Sequence, residues 1–146
     1  MAGGSKPGDG DLPNPARIVI RRTVGWADTD ASGHYQFQVV FRWVLEAETE
    51  LHVRLGIAAE THGSSPRLHV EADYLDRLWF PDEVELELTV DRLGRTSLHY
   101  RFEVRKGTSV AARGVMVVAY LPRTAERPQP WPDHLRRCFA EGGPFE

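Results

Sequence analysis

The chain has 146 residues, 27% of them charged and 41% hydrophobic, with a formal net charge of −3 at pH 7. That length fits one domain, large enough to bury about 68–70% of the surface its unfolded chain exposes. The mild negative charge, with arginines spread along the sequence, excludes the dense basic face of a nucleic-acid binder, and the single cysteine, Cys138, excludes an intrachain disulfide and metal sites built on paired cysteines.

Residues 1–16 are rich in Gly, Pro and Asp and too poor in apolar residues to offset the entropy of ordering, so a disordered N-terminal tail is expected. They contain no apolar signal segment, and no run reaches the ~18 apolar residues of a membrane helix; a cytoplasmic protein with no membrane partner is expected. Residues 17–26 alternate. Ile18, Ile20, Val24 and Trp26 share one face and Arg17, Arg21 and Thr23 the other, a strand with Arg22 interrupting its apolar side.

From about residue 36 the period changes. Val40, Val44, Ala47, Leu51 and Leu55 form one helical stripe, widened by Phe37 and Phe41, and Gly56 is a natural stop. Phe37, Phe41 and Trp43 read as core. Arg42, Glu46, Glu50 and Arg54 line up at i, i+4, so the acidic residues here, Glu48 included, read as a solvated face.

A Gly/Ser/Pro loop (62–66), in which His62 reads as exposed, leads to four alternating runs. Leu68, Val70, Ala72 and Tyr74 form one face; Val84, Leu86, Leu88 and Val90 the next; Leu98, Tyr100, Phe102 and Val104 the third. The last, 110–121, is apolar on both faces, as a strand covered on both sides would be. Turn signals at Phe80-Pro81-Asp82, Gly94 and Gly107 imply antiparallel hairpins. Beyond Pro122 the chain is Pro-rich until a short amphipathic piece, 134–139, placed to cap the domain. The expected architecture is α+β: one long helix against a five- to six-stranded antiparallel sheet. Such a sheet leaves an edge uncovered, which pairing with a second copy would hide.

Between the first strand and the helix lies W-A-D-T-D-A-S-G-H, residues 26–34. On spacing alone Asp28 and Asp30 are N-cap or turn residues, or a carboxylate that activates water; these readings stay open. Backbone N–H groups at a helix N-terminus are natural donors to an oxyanion, and Gly33 lets the chain turn toward a ligand. Asp30 suits catalysis if Trp26 and the apolar helix start desolvate it. The histidines do not cluster with carboxylates at metal-ligand spacing, so no metal is expected.

D-T-D-A-S-G-H at 28–34 resembles the D-x-D-x-x-G-h motif of the hotdog-fold thioesterases, specifically the 4-hydroxybenzoyl-CoA thioesterase-like group. The following F-R-W at 41–43 and E-A at 46–47 resemble that family's helix. Tyr74-Leu75, Pro81-Asp82 and Arg95-Thr96-Ser97 fall where the family has strand and hairpin markers. One departure is Val39-Val40, where relatives often carry an N-Y pair. The resemblance covers residues 17–121, and 122–146 form a C-terminal extension.

The resemblance implies a hotdog fold and an acyl thioester hydrolase acting on acyl-CoA or an acyl carrier protein. Asp30 would be nucleophile or general base and Asp28 a structural brace. The segment Gly33, His34, Tyr35 would supply the oxyanion hole, with His34 a further candidate base. Phe37, Arg95, Thr96 and Ser97 are substrate-binding candidates. No cofactor is expected beyond coenzyme A or phosphopantetheine carried by the substrate. Active sites in the family lie between subunits, so a homo-oligomer, dimer or dimer of dimers, is expected. The alternatives are a hotdog enzyme adding water or an amine across an unsaturated acyl thioester, and a non-catalytic acyl-binding dimer.

Overall fold

The computed structural model describes residues 12–145. Strand β1 (Arg17–Thr23) is followed by a single 3-10 turn (Trp26–Asp28), the long helix α1 (Val39–Leu55) and the short helix α2 (Ala58–Thr61). Four strands follow, β2 (Arg67–Tyr74), β3 (Glu83–Leu93), β4 (Ser97–Lys106) and β5 (Ser109–Ala119), then helix α3 (Asp133–Glu141) and the short β6 (Pro144–Phe145). They form one six-stranded sheet in the order β2-β5-β4-β3-β1-β6, antiparallel except where β6 runs parallel to β1. This is the α+β hotdog architecture.

The helix stripe does what its spacing implies. Val40, Ala47 and Leu51 have no exposed surface, and Val44 has almost none. They face the alternating residues Ile18, Ile20, Leu86, Leu88, Leu98 and Phe102 across one core. Gly56 ends the helix in the left-handed region (φ 76°), and its N–H bonds back to the carbonyls of His52 and Val53. Arg22, the break in β1's apolar face, reaches across to Glu46 (Nε–Oε1 2.9 Å).

Four expectations need correction. Trp26 does not continue β1: it sits on the 3-10 turn and is 69% exposed. Of the three expected hairpins only two form, at Gly94 and Gly107. The segment after β2 is a crossover, because β2 pairs with β5 at the far edge while β3 lies between β1 and β4. Phe37 is 68% exposed rather than core, whereas Trp43 is fully buried and Phe41 packs edge-on against Phe102. The expected N-terminal tail does not reach residue 16: Ala16 is buried, and the N–H groups of Asn14 and Ala16 donate to the carbonyls of Ala140 and Phe139. Residues 1–11 lie outside the described residues.

The C-terminal extension closes one end of the core. Leu135 and Phe139 of α3 are buried, and Trp131 packs between Tyr120 and Phe139 at ring separations of 5.0 and 5.2 Å. At the other side β2 is an edge strand whose apolar residues Leu68, Val70 and Tyr74 stay exposed. It lies unusually close to β5 at Gly114. A Cβ added there would stand 1.9 Å from the Glu71 carbonyl oxygen and 2.6 Å from the Phe102 ring. Gly114→Ala is therefore expected to lower stability by about 1–3 kcal/mol in urea unfolding, the usual cost of overpacking. An unchanged midpoint would mean that β2 can retreat at no cost.

Candidate active site

The motif folds into a small loop held at both ends. The Asp30 N–H donates to the His34 carbonyl (3.1 Å) and the Gly33 N–H to the Asp30 carbonyl (2.9 Å), closing a tight turn. Gly33 adopts φ 90°, a conformation that side chains rarely take, and the Trp79 ring lies 3.3 Å from where its Cβ would be. The loop is pinned to the rest of the fold by the Tyr35 N–H, which donates to the Leu78 carbonyl (2.8 Å).

Asp28 is buried beneath this loop. Its Oδ2 accepts from the Gly25 N–H (2.8 Å), and its Oδ1 meets the Arg42 guanidinium (2.9 Å). Burial works against its charge, but the bonds from Arg42 and Gly25 outweigh it and hold the pKa below the usual carboxylate value. Gln36 adds two more ties, its N–H to the Asp28 carbonyl (2.8 Å) and its side-chain amide to the Thr29 carbonyl (2.9 Å).

Asp30 is placed differently. Its carboxylate is exposed, and Oδ1 accepts from both the hydroxyl (2.5 Å) and the N–H (2.8 Å) of Ser32. Those two bonds push its pKa below the ordinary value, so it is ionised at neutral pH. The expected desolvation by Trp26 and the helix start is absent in the single chain, and the Ser32 bonds deepen an ionisation that an exposed aspartate already has. Asp30 borders an open cavity of about 550 Å³ together with His34, Tyr35, Phe37, Tyr74 and Leu75, and with Asp76 and Arg77.

Two of the three N–H groups of the expected oxyanion segment, Gly33 to Tyr35, already have acceptors. The N–H groups of Gly33 and Tyr35 are spent inside the fold, and the Tyr35 side chain is buried against Trp43 (6.5 Å, nearly parallel), with burial pushing its pKa up to about 12. The Tyr35 N–H is therefore not available to a substrate. His34 lines the cavity, its ring edge-on to Trp79 (5.7 Å) and its Nδ1 3.2 Å from the Tyr35 carbonyl. Among the described residues, no acceptor is found for the N–H groups of Phe37 and Gln38 just before α1. Those are the unspent donors of a helix N-terminus, beside the same cavity.

Arg95, Thr96 and Ser97 do not border the cavity of Asp30. Their carbonyls hold the C-terminal extension and β5 instead: Arg95 and Ser97 accept from the backbone and indole N–H groups of Trp131 (3.0 and 3.1 Å), and Thr96 from Tyr120 (2.9 Å). Glu48, expected on a solvated face, is also misplaced. It is 4% exposed, paired closely with Arg67, and its Oε2 has no hydrogen-bond partner. It stands beside a buried chain in which His52 Nε2 and Nδ1 contact the Tyr100 hydroxyl and Thr61 Oγ1, both at 2.7 Å. Burial raises the Glu48 pKa against the pull of Arg67. Among the described residues no group of three or more His, Cys, Asp or Glu is placed to hold a metal ion.

The chemistry available is thus an ionised carboxylate and unpaired backbone donors on one cavity. A family model described as the thioesterase-like superfamily matches residues 24–139. The 1,4-dihydroxy-2-naphthoyl-CoA hydrolase of Synechococcus sp. (strain WH7803) is 30% identical over 134 residues, covering 82% of this chain and 86% of that protein. The hydrolase of the same name from Prochlorococcus marinus (strain NATL2A) is 28% identical over 131 residues, covering 80% and 84%. In fold, the chain resembles a 1,4-dihydroxy-2-naphthoyl-CoA thioesterase from Synechocystis with a TM-score of 0.76, over 86% of this chain and 96% of that one, at 17% identity. A motif loop that presents a carboxylate at the head of one long helix, in a chain matched over most of its length, leads to one assignment: it belongs to the thioesterase-like superfamily and is an acyl thioester hydrolase.

Proposed function

We propose that the substrate is an aromatic acyl-CoA and that Asp30 is the carboxylate that opens its thioester. The observation that carries this reading is the shared cavity, where ionised Asp30 stands with the rings of Phe37, Tyr35 and Tyr74 and beside the unspent N–H groups at the start of α1. Aromatic walls suit a flat acyl group, and the names of the curated relatives support a ring-bearing CoA ester over a carrier-protein substrate.

An ionised carboxylate can attack the carbonyl carbon, giving a mixed anhydride that water then cleaves, or take a proton from the attacking water. In either case the carbonyl oxygen gains negative charge, which the N–H groups of Phe37 and Gln38 stabilise, and the carbon–sulfur bond breaks to release the thiolate. Gly33 and Asp28 hold the loop from which Asp30 projects. Arg77, at the rim, is a cation within reach of a phosphate-bearing substrate.

The exposed apolar face of β2 supports a homodimer in which two β2 edges pair, as an edge strand with an unpaired side and exposed apolar residues calls for a partner. Thiol release measured across benzoyl-, hydroxynaphthoyl- and straight-chain acyl-CoAs, and matching carrier-protein thioesters, tests the reading. A kcat/KM highest for the aromatic CoA esters is expected; turnover confined to aliphatic or carrier-bound esters would overturn it.

A further inference from the structure

The apolar pattern carries a helix back to residue 36, yet α1 opens at Val39. The cause lies on β2. Tyr74, its last residue, donates its hydroxyl proton to the Phe37 carbonyl at 2.6 Å. In a continued helix that carbonyl would accept from the N–H of residue 41. Instead the Phe41 N–H donates to the Gln38 carbonyl (3.1 Å), which also takes the Arg42 N–H (3.3 Å).

We propose that Tyr74 is a positioning residue for the oxyanion donors, its hydroxyl holding the Phe37–Gln38 peptide out of the helix and so setting the direction in which the unspent Gln38 N–H points. The inference rests on the reading of those donors given above. Two features make Tyr74 suited to the task. Its ring is fixed edge-on against Tyr35 (6.2 Å), which stacks in turn on buried Trp43, so the hydroxyl is carried by packed rings rather than a flexible stem. The bond also acts through the amide itself: a peptide whose carbonyl accepts a strong hydrogen bond donates more strongly through its own N–H, here that of Gln38. Tyr74 borders the same cavity as Asp30, so the effect is delivered where the carbonyl oxygen becomes charged.

Tyr74→Phe removes the hydroxyl and leaves the ring. On an aromatic acyl-CoA, kcat is expected to fall ~10–100-fold, below the ~10²–10³ of removing an oxyanion donor outright. KM should stay within about twofold, because the lost interaction is felt in the transition state. The pH profile and melting temperature should not move. In 1H–15N spectra of the full chain, the Phe37 and Gln38 amide signals should shift. An unchanged kcat, a loss confined to KM, or a displaced pH profile (which would make Tyr74 an acid) overturns the proposal, as do unmoved amide signals. The spectra need no substrate, so a wrong substrate class shows as wild-type inactivity on aromatic esters while the amide shifts still report on Tyr74.

Discussion

Asp30→Asn is expected to lower kcat by ~10²–10⁴, the range that loss of a positioned base or nucleophile commonly costs. Stability should hardly change. The carboxylate is exposed, it bonds only Ser32 among the described residues, and an Asn oxygen can still accept those bonds. The pH dependence carries a second signature. Because the Ser32 bonds lower the Asp30 pKa, the wild-type rate should stay on its plateau at pH values where an ordinary aspartate begins to protonate, and fall only below them. Ser32→Ala should bring that acid limb back toward the normal carboxylate range. Thiol release by Asp30→Asn at near wild-type turnover would remove Asp30 from the mechanism.

Acid is expected to weaken the fold through His52. Burial, with a smaller contribution from the Arg67 charge, pushes its pKa down to about 4 from 6.5. Between those values the unfolded chain binds a proton that the folded one refuses, so unfolding free energy falls as pH drops. The contribution is complete above about pH 6.5, and about 3 kcal/mol of it is gone by pH 4. His52→Gln keeps a donor and an acceptor for Thr61 and Tyr100 but cannot titrate. Glu48, raised in pKa, acts in the opposite sense, and the difference between the two proteins isolates His52. Urea unfolding from pH 7.5 to 4 should show the wild type losing about 3 kcal/mol more than His52→Gln; parallel curves would rule out the buried neutral imidazole.

Much of the fold is legible because it is local. The spacing of Val40, Val44, Ala47 and Leu51 is set by one helix, and the stop at Gly56 by one residue's conformational freedom. The alternation in β3 and β4 is equally plain. The path of β2 is not, because Pro81-Asp82 turns a chain equally well into a hairpin or a crossover, and only the pairing of 67–74 with 112–118 decides between them. Glu48 illustrates the same limit: its i, i+4 surroundings read as solvated, while Arg67, 19 residues on, and Tyr100 bury it.

The site divides along that line. Asp28, Asp30 and Gly33 are conspicuous by spacing, since one short loop contains them. The start of the helix is not legible in the same way: α1 opens at Val39, and the Phe37 carbonyl just before it accepts from Tyr74, 37 positions away. Arg95, Thr96 and Ser97 carry the residue types of a phosphate contact, but the carbonyls of Arg95 and Ser97 accept from Trp131, a partner from the extension that no local pattern announces.

The crossover of β2 to β5 has a consequence for how the protein is made. A ribosome delivers β1, the motif loop and α1 first, and β2 soon after, but β2 has its sheet partner only once residues 109–119 have emerged. Until then the strand bearing Tyr74 lacks its backbone partner in the sheet, and one wall of the Asp30 cavity is not fixed. A nascent chain stalled before Ser109 thus displays the whole W-A-D-T-D-A-S-G-H motif without the Tyr74 side of its cavity, and with Asp30 acting as proposed, thioester cleavage begins only late in synthesis, when β5, the fifth strand, docks.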